Sequence, residues 1–161
     1  MQIPVVNEND EIIGYKDKKD RNLVDITRIS SLWVTSTQGD ILLAQRALHK
    51  THSPGLWGPA VAGTVEEGET YESNIIKEAE EEIGLKDINP ILGPKLRRTT
   101  SHSYFTQWFT VVIDKDTKLN IKEDEVAQVK WFTKDELLEL YAKSPEIFLT
   151  HFKQYIELFL N

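Results

Sequence analysis

Glu78, Glu81 and Glu82 fall in one short run, Lys77-Glu-Ala-Glu-Glu-Glu-Ile-Gly-Leu85. Read as a helix, that run sets Glu78 and Glu82 one turn apart, with Glu81 beside them at the three-residue step. Ile75, Ile76, Ala79 and Ile83 then form the opposite, apolar face. Carboxylates gathered in this way repel one another unless a cation lies among them. Hard oxygen donors suit Mg²⁺ or Mn²⁺, and both ions also recruit phosphate oxygens. The spacing therefore points to a metal site for a phosphorylated substrate. The ordinary alternative for an acidic run is a solvent-facing helix.

The residues upstream favour the site. Gly63, Glu69, Lys77, Glu78, Ala79, Glu81, Glu82, Gly84 and Leu85 stand at the offsets of the Nudix box, so the chain resembles the hydrolases of nucleoside diphosphates linked to another moiety. The resemblance implies that Glu78, Glu81, Glu82 and the backbone carbonyl of Gly63 hold the Mg²⁺ or Mn²⁺. It also implies that Glu69 pairs with Lys77 and helps orient the ligands. The family usually has arginine at position 77. Arginine grips a carboxylate with two nitrogens and lysine offers a point charge on a flexible stem, so weaker preorganisation is expected here.

The implied reaction is attack of water on one phosphorus of a nucleoside diphosphate linked to another group, or of a nucleotide di- or triphosphate. Glu81, Glu78 and Glu125 are the candidate catalytic carboxylates, because one of them must accept a proton from that water. Arg46 and Lys50 are expected to grip the substrate, and Arg97 and Arg98, with Lys95, form a second basic cluster suited to phosphate. Trp57, Tyr104, Phe105 and Trp108 could stack on a base, although burial is their more ordinary role in strands. His49, His52 and His102 lack zinc-ligand spacing.

Outside the box, Val6–Gly14, Leu42–Arg46 and Pro54–Trp57, and more faintly Glu125–Trp131, resemble the branch that contains isopentenyl-diphosphate isomerase and its hydrolase relatives. The isomerase needs a cysteine before the motif glycine and a histidine after it. Ala62 and Thr64 occupy those positions, and the chain has no cysteine at all. The hydrolase relatives are therefore preferred. A non-catalytic nucleotide-binding module is the competing class: its one mark is Lys77, against retention of every glutamate.

These residues must be positioned by a compact frame. At 161 residues with 40% hydrophobic content, the chain is expected to form one domain, 1–161, with its own core. A formal charge of −7 argues against nucleic acid as a partner. With neither a signal-peptide pattern nor a membrane-length apolar run, a cytoplasmic protein binding a small nucleotide or diphosphate is expected, with a homodimer open. Ser31–Thr37 and Ile41–Ala47 read as a hairpin, Trp57–Val65 as an extended lead into the box, and Tyr71–Ile83 as the box helix with Gly84 as its stop. Lys95–Thr99, Tyr104–Ile113 and Val126–Phe132 read as further strands. Tyr15–Arg21 reads as a solvated charge run. Thr133 and Glu136 make a capping box for one C-terminal helix, and Ser144-Pro145 opens another whose Phe148, Phe152, Tyr155 and Phe159 stripe reads as core. Strands followed by helices give an α/β protein with a mixed central sheet, and the resemblance implies the Nudix α/β/α sandwich.

Overall fold

The computed structural model describes residues 1–161. Nine strands form one sheet: β1 (Gln2–Val6), β2 (Ile12–Asp17), β3 (Ile26–Ser36), β4 (Ile41–Arg46), β5 (Trp57–Pro59), β6 (Val61–Thr64), β7 (Ile91–Thr99), β8 (Ser103–Ile113) and β9 (Val126–Phe132). Three helices accompany it: α1 (Tyr71–Ile83), α2 (Lys134–Lys143) and α3 (Phe152–Phe159).

The spine is β3. It runs parallel to β8 from Ile26 opposite Ser103 to Ser36 opposite Ile113. Its other edge is shared, with β6 antiparallel along Ile29–Leu32 and β4 antiparallel at Val34 and Thr35. One parallel pair among antiparallel ones makes the sheet mixed. The expected hairpin strand Ser31–Thr37 is thus the end of a longer strand. The expected extended stretch Trp57–Val65 divides into β5 and β6.

Alternation along β3 builds two cores. Leu32 and Val34 point to α1, where they join Ile75, Ala79, Ile83, Leu42, Phe109 and Val111. Trp33, between them, points the other way into a cluster with Ile41, Leu43, Trp108, Leu137, Phe148 and Phe152. Helices therefore cover both faces of the sheet, giving an α/β/α sandwich. The C-terminal aromatic stripe belongs to the second core, with Phe152 fully buried.

That stripe does not lie on one helix. Pro145–Ile147 is only a 3-10 turn, and α3 begins at Phe152. Phe148 is extended and forms a bridge to Trp57, while Leu149 N–H donates to the Trp57 carbonyl at 2.9 Å. Pairing with the β5 edge wins over continuing the helix that the proline could have begun.

Both ends of α1 are fixed. The Thr70 side chain accepts from Ser73 N–H at 3.0 Å, and the Ser73 hydroxyl accepts from Thr70 N–H at 2.9 Å. At the far end Gly84 takes φ +69°, and a side chain there would also stand 2.8 Å from the Asn120 backbone nitrogen. The chain after β8 closes the helix, since Asn120 and Lys122 N–H groups donate at 2.8 Å to the Ile83 and Glu82 carbonyls.

Candidate active site

Gly63 on β6 pairs with Ser30 on β3, and α1 crosses directly above. Glu78 drops from the helix onto the strand at that point. A Cβ on residue 63 would stand 2.6 Å from the Glu78 carboxyl carbon and 2.9 Å from its Oε1. The missing side chain is what lets the carboxylate reach the strand backbone.

Glu82 lies one helical turn further on, beside Glu78. Burial pushes the Glu82 carboxyl up to about 9, with the charges of Glu78 and Glu125 adding to the effect. Burial also raises Glu78, helped by Glu81 and Glu69 and opposed by a hydrogen bond with Glu82 and the charge of Lys77. Two adjacent carboxyls in a half-dry site cannot both ionise cheaply without a positive neighbour. Glu81 is exposed and lines the same cavity, but no group of three carboxylates or imidazoles is drawn around a common point. Glu78 and Glu82 make the pair, and Glu81 stands at its edge.

Lys77 reaches back under the loop between β6 and α1. Its ammonium contacts Glu69 Oε1, Glu66 at 2.5 Å and, more distantly, Glu78 at 3.9 Å. Burial opposes the charge on Lys77, but the hydrogen bonds with Glu66 and Glu69 outweigh it and raise its pKa. The same contacts overcome burial at Glu69 and hold its carboxyl below the ordinary range. Two members of this network carry no signal in the sequence pattern. Glu66 shares the lysine. Asn74, fully buried, donates to Glu69 Oε2 at 2.8 Å and to the Thr64 carbonyl at 3.1 Å.

A cavity of about 730 Å³ opens over these carboxylates. Its lining includes Gly63, Glu78, Glu81 and Glu82 at one side and Arg46, Lys50 and Glu125 at another. Lys50 and Glu125 form an ion pair, and Arg46 Nε donates to the His52 carbonyl at 3.0 Å. Lys18 and Arg21 also line it, out of a stretch that reads as a solvated charge run. Burial lowers the Lys18 pKa, and the charges of Arg21 and Lys50 lower it further. His52 and His102 complete this rim, with ring centroids 6.1 Å apart. The signal for Lys18 and Arg21 was long-range: β2 ends at Asp17 and the turn after it swings over the cavity.

Arg97 and Arg98 are not brought to the cavity. Arg97 donates from two nitrogens to Glu8, at 3.0 and 3.1 Å, and neither residue lines the cavity. Lys95 is committed to Asp10 at 2.6 Å. Among the aromatic candidates, Trp57, Phe105 and Trp108 are buried, and only Tyr104 lines the cavity.

The donor set fits a hard divalent cation. Two carboxylates share a site that burial makes costly to charge, and a strand with no side chain at Gly63 leaves its backbone open beside them. Comparisons with known proteins give the family and the fold. An isopentenyl-diphosphate Delta-isomerase from Photobacterium profundum is 28% identical over 170 residues, covering 99% of this chain and 94% of that protein. A Nudix hydrolase from Deinococcus radiodurans is 25% identical over 146 residues, covering 88% and 84%. The crystal structure of DR0079 from Deinococcus radiodurans superimposes with a TM-score of 0.82 at 22% identity over the whole of both chains, a likeness of fold. A family model of the NUDIX domain matches residues 26–152, and the chain belongs to that family.

Proposed function

We propose that the protein is a divalent-metal-dependent pyrophosphohydrolase. It cleaves the P–O–P bridge of a nucleoside diphosphate linked to another moiety, or of a nucleotide di- or triphosphate. The observation that carries this reading is the pairing of Glu78 with Glu82 above a side-chain-free Gly63, at the floor of a cavity whose rim is basic.

Glu78, Glu82 and the Gly63 carbonyl would hold Mg²⁺ or Mn²⁺, with Glu81 joining at the edge. The ion, when bound, lowers the pKa of water and offsets charge on the phosphoryl oxygens. Lys77, clamped by Glu66 and Glu69, keeps a positive charge beside Glu78 and fixes the loop that carries these groups. Lys18, Arg21 and Arg46 face the cavity and attract the substrate's phosphates. Glu81 is the carboxylate free to take the proton from water. Lys77 and Lys50 are committed to Glu66, Glu69 and Glu125 instead. Glu125, tied to Lys50, is the second candidate for that role.

The identity to an isomerase raises a second reading. Isopentenyl diphosphate would fit a basic rim equally well. Yet Ala62 and Thr64, which flank Gly63 and line the cavity, supply neither a thiol nor an imidazole for that protonation chemistry. A panel of nucleoside diphosphate derivatives, nucleotides and isopentenyl diphosphate, assayed with and without Mg²⁺, separates the two. Mg²⁺-dependent release of phosphate or a monophosphate supports hydrolysis. Isomerised product, or nucleotide binding without turnover at every pH and metal, would replace this reading.

A further inference from the structure

Glu69 is gripped on both of its oxygens by two different side chains. Lys77 Nζ contacts Oε1, and Asn74 Nδ2 donates to Oε2 at 2.8 Å, where the Glu66 N–H also donates at 2.9 Å. A lysine nitrogen can address one carboxylate oxygen well, and only a forked donor addresses both. Here the fork is assembled from two residues three positions apart on the same helix, which places their side chains on one face of α1.

Asn74 is held in the donating orientation. Its carbonyl oxygen accepts from the buried Ser30 hydroxyl, so its NH₂ group is left for Glu69 and for the Thr64 carbonyl at 3.1 Å. Ser30 is the β3 partner of Gly63, and Thr64 follows Gly63 on β6. One buried amide thus ties the carboxylate of the loop, the strand beside Gly63 and the helix that carries Glu78. It touches none of the reacting groups.

We propose that Asn74 is a positioning residue that supplies the second arm of a split clamp on Glu69, replacing what one arginine at position 77 would do. The inference rests on the pyrophosphohydrolase reading, because the geometry it protects is the Gly63–Glu78 floor of the metal site. Loss of the amide leaves Glu69 Oε2 with only the Glu66 N–H and takes one donor from the Thr64 carbonyl. The strand and helix then lose their common reference.

The test measures Mn²⁺ binding by electron paramagnetic resonance and by calorimetry, with no substrate present. Wild type, Asn74→Ala, Lys77→Arg and the double variant are compared, with thermal unfolding recorded for each. Asn74→Ala should weaken Mn²⁺ binding by about tenfold, within the range seen when groups that orient metal ligands are removed. Adding Lys77→Arg should recover most of that loss, whereas Lys77→Arg alone should leave the affinity nearly unchanged. In kinetics the metal activation curve should shift for Asn74→Ala while substrate KM at saturating Mn²⁺ holds. Asn74→Ser, too short to reach Glu69, makes the same comparison if the alanine variant does not fold. A fall in melting temperature with unaltered Mn²⁺ affinity, or no rescue by Lys77→Arg, would overturn the role of Asn74. A wild type that binds no Mn²⁺ would instead overturn the metal reading itself.

Discussion

Glu78 occupies the space in which a side chain at Gly63 would begin, with its carboxyl carbon 2.6 Å from that missing Cβ. Strand and helix meet there through an absent methyl group. Gly63→Ala should therefore fold, because the obstructing atoms belong to a flexible side chain and not to backbone. The displaced carboxylate would miss its place by about 1 Å, a shift that can cost about 10²-fold in rate. Turnover and melting temperature measured together check this: activity should fall steeply, and stability by about 1 kcal/mol, because Glu78 Cγ as well as its carboxyl must move.

Glu82 contributes a pH dependence to the metal-free protein. Its carboxyl is raised to about 9 by burial and by Glu78, so between the ordinary glutamate value and about 9 the folded chain keeps a proton that the unfolded chain has released. Stability must fall as pH rises through that window. Saturating Mg²⁺ should flatten the dependence, and binding of the ion should release protons. Calorimetry in buffers of different ionisation enthalpy reads the release directly. Glu82→Gln leaves the folded chain no proton to hold against release and should raise the metal-free melting temperature at neutral pH by about 3 °C, equivalent to ~1 kcal/mol for a chain of this size, while abolishing Mg²⁺ binding.

The rim predicts where affinity resides. Lys18→Ala and Arg21→Ala should each raise substrate KM about tenfold, the loss of one charge-assisted contact, with little change in kcat. Added salt should shrink the difference. Arg97→Ala should leave KM alone, since its guanidinium is occupied by Glu8 away from the cavity. Steady-state kinetics at two ionic strengths distinguish these outcomes.

Asp10 predicts stability. Its side chain, 9% exposed, accepts from Arg28 at 2.7 Å, Lys95 at 2.6 Å and the Tyr71 hydroxyl at 2.9 Å. These contacts outweigh burial and lower its pKa. Their contribution is complete above the ordinary aspartate value and is lost as pH falls through the lowered one. Asp10→Ala strands the largely buried Arg28 guanidinium, while Lys95, 40% exposed, can turn to water, and should cost about 2 kcal/mol in urea unfolding at neutral pH. The gap from wild type should close under acid conditions.

The sequence exposed some of this and hid the rest for definite reasons. Helix α1 was legible because the apolar spacing of Ile75, Ala79 and Ile83 and the stop at Gly84 agree. The carboxylates were legible because one short helix carries them. Hairpin β1–β2 was not, because its short strands alternate weakly and β1 pairs with β3 only at Val6 opposite Ile26. Without that hairpin, Lys18 and Arg21 could only read as solvated, and Arg97 could not be seen to meet Glu8, 89 positions away. Asn74 was silent for a similar reason: an asparagine within a helix says nothing until Ser30 and Glu69 arrive from other elements.

The most direct test is hydrolysis in H₂¹⁸O, followed by ³¹P NMR of the products from each substrate that turns over. The expected result is one labelled phosphate product, formed only with Mg²⁺ or Mn²⁺ and lost in Glu82→Gln. Product lacking the label, or undiminished turnover in Glu82→Gln, would contradict a metal-bound water reaction at the Glu78–Glu82 pair.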